Sequence, residues 1–235
     1  MSKKESFWLP YADLMTVLMI VFLFISVGYM AILQKKEKER TNIIDTYIVL
    51  KEDLYNDLKH EFKDDFKKWD LELDRDLSIK FTNPEILFQS GKAELTTKFE
   101  DILNEFVPNY LNIVLDKKYK GRIAEVRIEG HTDDVKYLYT KDSYIRNVEL
   151  SQERSRNVLA YIRSLEYYKE LSSEEESLLQ FLLTANGLSY GRTLDKNKEL
   201  TFTTKKEIDR VNSRRVEFKI VIASDDILNE VINKK

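Results

Sequence analysis

From Phe7 to Leu33 ("FWLPYADLMTVLMIVFLFISVGYMAIL") the chain carries one acidic or basic side chain, Asp13. This run constrains the fold more than any other feature. A helix from Leu9 to Ala31 would rise roughly 34 Å, enough to cross a hydrocarbon core of about 30 Å. A cleaved signal peptide is the competing reading. The run is too long for one, and no small-x-small cleavage site comes after it in "SVGYMAILQKK". An uncleaved transmembrane helix over residues 7–33 is therefore expected, after a short tail over 1–6. Asp13 has two readings. It can be a helix N-cap ahead of Leu14, with Pro10 nearby as a helix-start residue. It can instead be a functional carboxylate, because a charge inside a bilayer costs a few kcal/mol and usually marks an ion pathway. Thr16 and Val17 would share its helix face, with Thr16 as a polar neighbour. The residues alone leave the two readings open.

The rest of the chain is of a different kind. Of 235 residues 34% are charged, yet the net charge is only -3, which gives no reason to expect nucleic-acid binding. The absence of cysteine excludes disulfides, thiolate zinc sites, thiol catalysis and a lipidated N-terminal Cys. Two histidines make a His-based metal or catalytic centre improbable, and His131 reads as a turn-packing residue. No nucleophile–base pair stands out, so neither enzyme activity nor a metal is expected. Lys3 and Lys4 precede the span and Lys35, Lys36, Lys38 and Arg40 come after it. By charge counting alone the bulk of the chain would be cytoplasmic.

Residues 34–76 are highly charged and nearly free of Gly and Pro. Apolar residues recur at Ile43, Tyr47, Leu50, Leu54, Leu58, Phe62, Phe66, Trp69 and Leu73. This reads as one stripe on a long helical connector, favouring self-pairing of two chains over packing on its own domain. Fully helical, the connector would hold the C-terminal domain roughly 60 Å from the bilayer. In that domain, "LSIKFT" (77–82), "ILF" (86–88), "AEVRIEG" (124–130) and "RRVEFKIVI" (214–222) read as strands. Residues 96–115 and 150–165 read as helices, the second with Ser151 as its N-cap. Strands alternating with helices point to an α+β sandwich over 77–223, with a tail over 224–235.

Four blocks, "FQSGKAEL", "VRIEGHTD", "NVELSQERSRNV" and "NSRRVEF", resemble the OmpA-like peptidoglycan-binding domain in order and spacing. In front of them, "FWLPYADLMTVLMIVFLFI" resembles the transmembrane segment of the MotB family of stator subunits, and within that family the branch of Zorya anti-phage systems, ZorB. The resemblance implies a single-pass bacterial inner-membrane protein with its N-terminus cytoplasmic and its C-terminal domain periplasmic, against the charge count. It implies a homodimer inside a pentamer of a MotA-like or ZorA-like membrane subunit, with Asp13 carrying H⁺ or Na⁺ and no cofactor. It also implies that Asp133, from the GHTD turn, receives the amine of a diaminopimelate residue of peptidoglycan. Arg154, at the start of the next helix, would pair with a carboxylate of the same residue. Asn147, Leu150 and Arg215 match further motif positions, Arg215 as a supporting residue. Two departures bear on this pocket: the loop "DDVKYLYTKDSYIR" is long and lacks the usual glycine, and Ser213 stands where the family has asparagine. A flagellar stator subunit and a passive membrane-to-wall tether are the alternative functions. A tether gains nothing from a carboxylate in the membrane.

Overall fold

The computed structural model describes residues 8–136 and 142–223, with side chains from residue 11 onward. The expected tails over 1–6 and 224–235, and residues 137–141 of the long loop, lie outside the described residues.

Helix α1 runs without interruption from Trp8 to Glu61. After Pro10 it contains no proline to break it, and Lys59 and His60 in its last turn complement the helix dipole. At about 1.5 Å per residue it is about 80 Å long. Its apolar part is exposed on every side, and it is long and apolar enough to cross a membrane. Its charged part is exposed as far as Val49, apart from partly covered Ile44 and Tyr47. From Leu50 the same helix enters the core: Leu50, Leu54 and Leu58 are buried, as is Phe62 just beyond it.

The remaining elements run in chain order: α2 (Asp65–Lys68), β1 (Leu71–Leu73), β2 (Ser78–Phe81), α3 (Pro84–Leu87), α4 (Thr97–Val114) and β3 (Ile123–Gly130). After these come α5 (Ser143–Ser164), α6 (Glu166–Lys169), α7 (Ser173–Leu182), β4 (Leu183–Gly187), α8 (Thr201–Thr204), α9 (Arg210–Ser213) and β5 (Val216–Ile222). Among the described residues the strands form one sheet in the order β1-β2-β5-β3-β4, antiparallel except for the parallel pair β3–β4.

One face of the sheet is apolar and meets the helices. Phe81 and Phe218 pack edge-on to Phe106 of α4 at 5.2 and 5.1 Å between ring centres, and Phe62 reaches the same ring at 4.9 Å. Such pairs add about 0.5–1.5 kcal/mol each beyond the area they bury. The other face is polar. The segment between β4 and β5 sends Arg192 to Glu129 and Lys198 to Glu72.

Four expectations are corrected. The stripe on the connector does not serve as a free seam between two chains from Leu50 onward, because those residues pack against α4 of their own chain. The helix stops at Glu61, Asp70 takes a left-handed backbone (φ 52°), and Leu71–Leu73 form an edge strand within the 34–76 connector. Residues 86–88 are not a strand: Pro84 starts the short helix α3, and Phe88 makes only an isolated bridge to Leu95. Finally, α5 begins at Ser143, where Asp142 Oδ1 accepts from the Tyr144 and Ile145 N–H groups. Ser151 therefore lies mid-helix, where its buried hydroxyl donates to the Val148 carbonyl and accepts from Ser189 N–H.

Candidate functional site

Two glycines at adjacent strand ends set the geometry of the site. A Cβ on Gly130 would lie 2.4 Å from the Ser151 carbonyl oxygen, and one on Gly187 would lie 2.4 Å from the Gln152 nitrogen. Only a hydrogen fits at either point, so α5 rests directly on the ends of β3 and β4. This contact aims Asn147, Leu150 and Arg154 of α5 at the residues leaving β3. There the backbone N–H groups of His131 and Thr132 are held by the carbonyls of Arg215 and Ser189.

The result is a cleft of about 590 Å³. Asp133, Asn147, Leu150, Arg154 and Arg215 all line it, so the structure brings the expected binding residues together. Asp133 Oδ1 accepts from Val135 N–H at 3.1 Å, forming a turn, while Oδ2 accepts from Arg214 at 3.2 Å. Asn147 donates to the Ser143 carbonyl at 2.9 Å. Arg154 is buried; its guanidinium lies 4.8 Å from the centre of the Phe88 ring, and its Nε donates to the Lys92 carbonyl. It sits in the middle of α5, not at a helix N-terminus. No helix dipole assists it there; the Phe88 face and the carbonyl hold its planar fork in place. Arg215 supports the wall from behind, donating to Glu217 at 2.5 Å and to the Arg192 and Ser213 carbonyls. Ser213 ties its loop to the segment before it: its hydroxyl donates to the Asp209 carbonyl and accepts from Leu194 N–H.

Sequence reasoning missed Arg214 and Phe88. Arg214 stands next to Arg215 in "SRRVE", but only the fold shows that it reaches Asp133, with its own Nε buried and without a partner. Phe88 reads as part of a strand by its local pattern and is instead the residue that ends α3. The cleft therefore presents guanidinium groups on its wall, the carboxylates of Asp133 and Glu85, and an apolar floor from Leu87, Phe88 and Leu150. Such a lining suits a small ligand that carries carboxylates beside an amine.

Behind the cleft His131 is buried, with Glu129 Oε2 at 3.7 Å and Glu217 Oε1 at 3.6 Å from its Nε2. Burial, with Arg215 adding to it, pushes the imidazole below its usual pKa range. Burial works to raise the Glu217 carboxyl, but Arg215 and then His131 outweigh it and hold it below the usual range.

Asp13 is far from all of this, about 55 Å along α1 from Leu50. Because α1 already runs from Trp8, Asp13 is inside the helix and is not its N-cap. Thr16 donates to the Ala12 carbonyl at 2.8 Å, which leaves its oxygen lone pairs for another partner.

No protein-family profile matches the chain. It is 35% identical over 230 residues to the Zorya protein ZorB of Escherichia coli strain Crooks, covering 97% of this chain and 92% of the relative. A ZorB from a second Escherichia coli strain is 25% identical over 204 residues, covering 83% of this chain and 77% of that one. The crystal structure of a MotB-like protein from Desulfovibrio vulgaris superposes with a TM-score of 0.50 at 23% identity, covering 74% of this chain and 96% of that one, a similarity of fold.

Proposed function

The chain belongs to the ZorB family of Zorya proteins, and on that premise we propose that it is the wall-anchored B subunit of an ion-driven motor in the bacterial inner membrane. In this reading residues 7–33 span the membrane with the N-terminus cytoplasmic, and the C-terminal domain is periplasmic. Two copies stand inside a pentamer of a ZorA-like, MotA-related subunit. Asp13 takes up and releases the ion, H⁺ or Na⁺, with Thr16 beside it. Asp133, Asn147, Leu150 and Arg154, backed by Arg215, hold the diaminopimelate of peptidoglycan. The wall then provides the fixed point that torque requires.

One observation carries the proposal: Asp13 is inside an unbroken helix whose surrounding residues are apolar and exposed. A carboxylate there is costly, and a capping role no longer accounts for it. Moving one elementary charge across the membrane is worth about 2.3 kcal/mol per 100 mV, so an ion carrier at this depth can do work that a passive anchor cannot.

The test is phage plating efficiency in cells carrying the gene with its native neighbours, wild type against Asp13→Asn. Protection by the wild type and its loss in the variant is expected, while the variant still co-purifies with its membrane partner and with peptidoglycan. Protection that survives the substitution would leave the chain as a tether. If the wild type gives no protection but restores swimming, the chain is a flagellar stator subunit.

A further inference from the structure

The polar face of the sheet contains an unusual pairing. Glu129 on β3 and Glu217 on β5 are register partners, side by side on one face, and are 3% and 6% exposed. Like charges directly opposite one another on neighbouring strands are destabilising, and burial makes the repulsion worse. His131 comes next on the same face of the chain, 1% exposed, and neither of its ring nitrogens has a hydrogen-bond partner. A buried imidazole with both nitrogens unpaired is costly unless something unfilled completes it.

We propose that Glu129, His131 and Glu217 form a zinc-binding site that stands apart from the cleft and supports it. The separations from the imidazole to the two carboxylates, 3.7 and 3.6 Å, are too long for hydrogen bonds. They are close to the roughly 3.4 Å expected between two ligands of one tetrahedral ion with bonds of about 2.1 Å. All three ligand atoms lie within 4.8 Å of one another, so small side-chain shifts complete the approach. One imidazole and two carboxylates, with water in the fourth position, are a donor set that zinc accepts. Glu217 already accepts a hydrogen bond from Arg215, the outer support that a metal-ligating carboxylate keeps. Arg192 reaches Glu129 at 3.5 Å while its own side chain is 52% exposed, so an entering cation can displace it into solvent at little cost. The ion would tie β3 to β5 where Thr132, Asp133 and Arg215 enter the cleft.

The chain suits a clean test: it has no cysteine, and its other histidine, His60, lies on the surface of α1. The full chain, purified in detergent and stripped with a chelator, is titrated with zinc against a chromophoric competitor. The expected result is one zinc per chain, unchanged in His60→Ala. In His131→Ala the affinity should fall by more than the 10–100-fold that losing a supporting group costs. Cobalt(II) added to the unaltered chain should give visible absorption of a four- or five-coordinate ion and be displaced by zinc. An unaltered chain that takes up no zinc at micromolar concentration overturns the site without recourse to any variant. So does a His131→Ala chain that binds as tightly as the original.

Discussion

Cutting the chain between β1 and β2 leaves a fragment, 77–223, that begins where the sequence pattern alone starts the α+β sandwich. Removed with the rest are Leu50, Leu54, Leu58, Phe62, Trp69 and Leu71, none more than 6% exposed. Burying one large apolar side chain is worth about 1.5–3 kcal/mol, so these six together account for about 9–18 kcal/mol. That is an upper estimate, because an unfolded chain already buries part of this surface. Even half of it is comparable with the roughly 5–15 kcal/mol that separates a folded domain from its unfolded state. The cut also strips β2 of its outer partner and exposes Phe106 where Phe62 covered it. We expect 77–223 to lack a cooperative transition in thermal and urea melts monitored by far-UV circular dichroism. A fragment over 45–223, starting on the exposed part of α1, should melt as one unit. At about 2–4 °C per kcal/mol, any folded 77–223 should melt many degrees lower than the longer fragment. If the two melt cooperatively within a few degrees of each other, the stripe on α1 is not part of the core.

Two further outcomes are expected. Replacing Arg154 by Ala removes the guanidinium that Phe88 and Lys92 hold in the cleft. Charged hydrogen bonds are worth about 1.5–3 kcal/mol, so co-sedimentation with purified peptidoglycan should weaken by about 10- to 100-fold while the folded domain persists; unchanged binding would remove Arg154 from the site. Acid should destabilise the domain through Asp57 and Asp76. Burial alone would raise both carboxyls, but Lys118 and Tyr119 around Asp57, and Lys219 and Ser78 around Asp76, hold them below the ordinary value. A carboxyl lowered in the folded state contributes stability above its unfolded pKa and loses it as pH falls through the folded value. The urea midpoint should therefore hold from neutrality to about pH 5 and drop below about pH 4, and Asp57→Asn should shrink that drop.

What could be read from the chain in advance was what local pattern determines. The apolar run, the amphipathic residues of α4 and the alternation in β3 each identify an element from its own residues. What could not be read depends on partners distant in sequence. The stripe through Leu54 and Leu58 has the same spacing whether it faces a second chain or α4, and only the folded chain, in which these residues join the core and Phe62 just beyond them meets Phe106 of α4, decides it. Leu71–Leu73 is too short to announce itself as a strand; it becomes one because β2 offers a free edge. Ser151 is a good capping residue by type, but Asp142 caps the helix more than two turns earlier, and Ser151 is used instead to hold Ser189.

That shift of the helix start changes the chemistry as well as the boundary. An arginine at a helix N-terminus would share a ligand carboxylate with backbone N–H groups, and its loss would be partly covered by them. Arg154 in mid-helix has no such neighbours, because the N–H groups of its turn are already bonded within α5. Its fork is held by the Phe88 ring and the Lys92 carbonyl, both contributed by the "FQSG" stretch and its flank, more than sixty residues earlier in the chain. Substituting Phe88 should therefore weaken wall binding through Arg154, although Phe88 has no charge to offer a ligand. The link between these two residues lies in the fold and in neither sequence block alone.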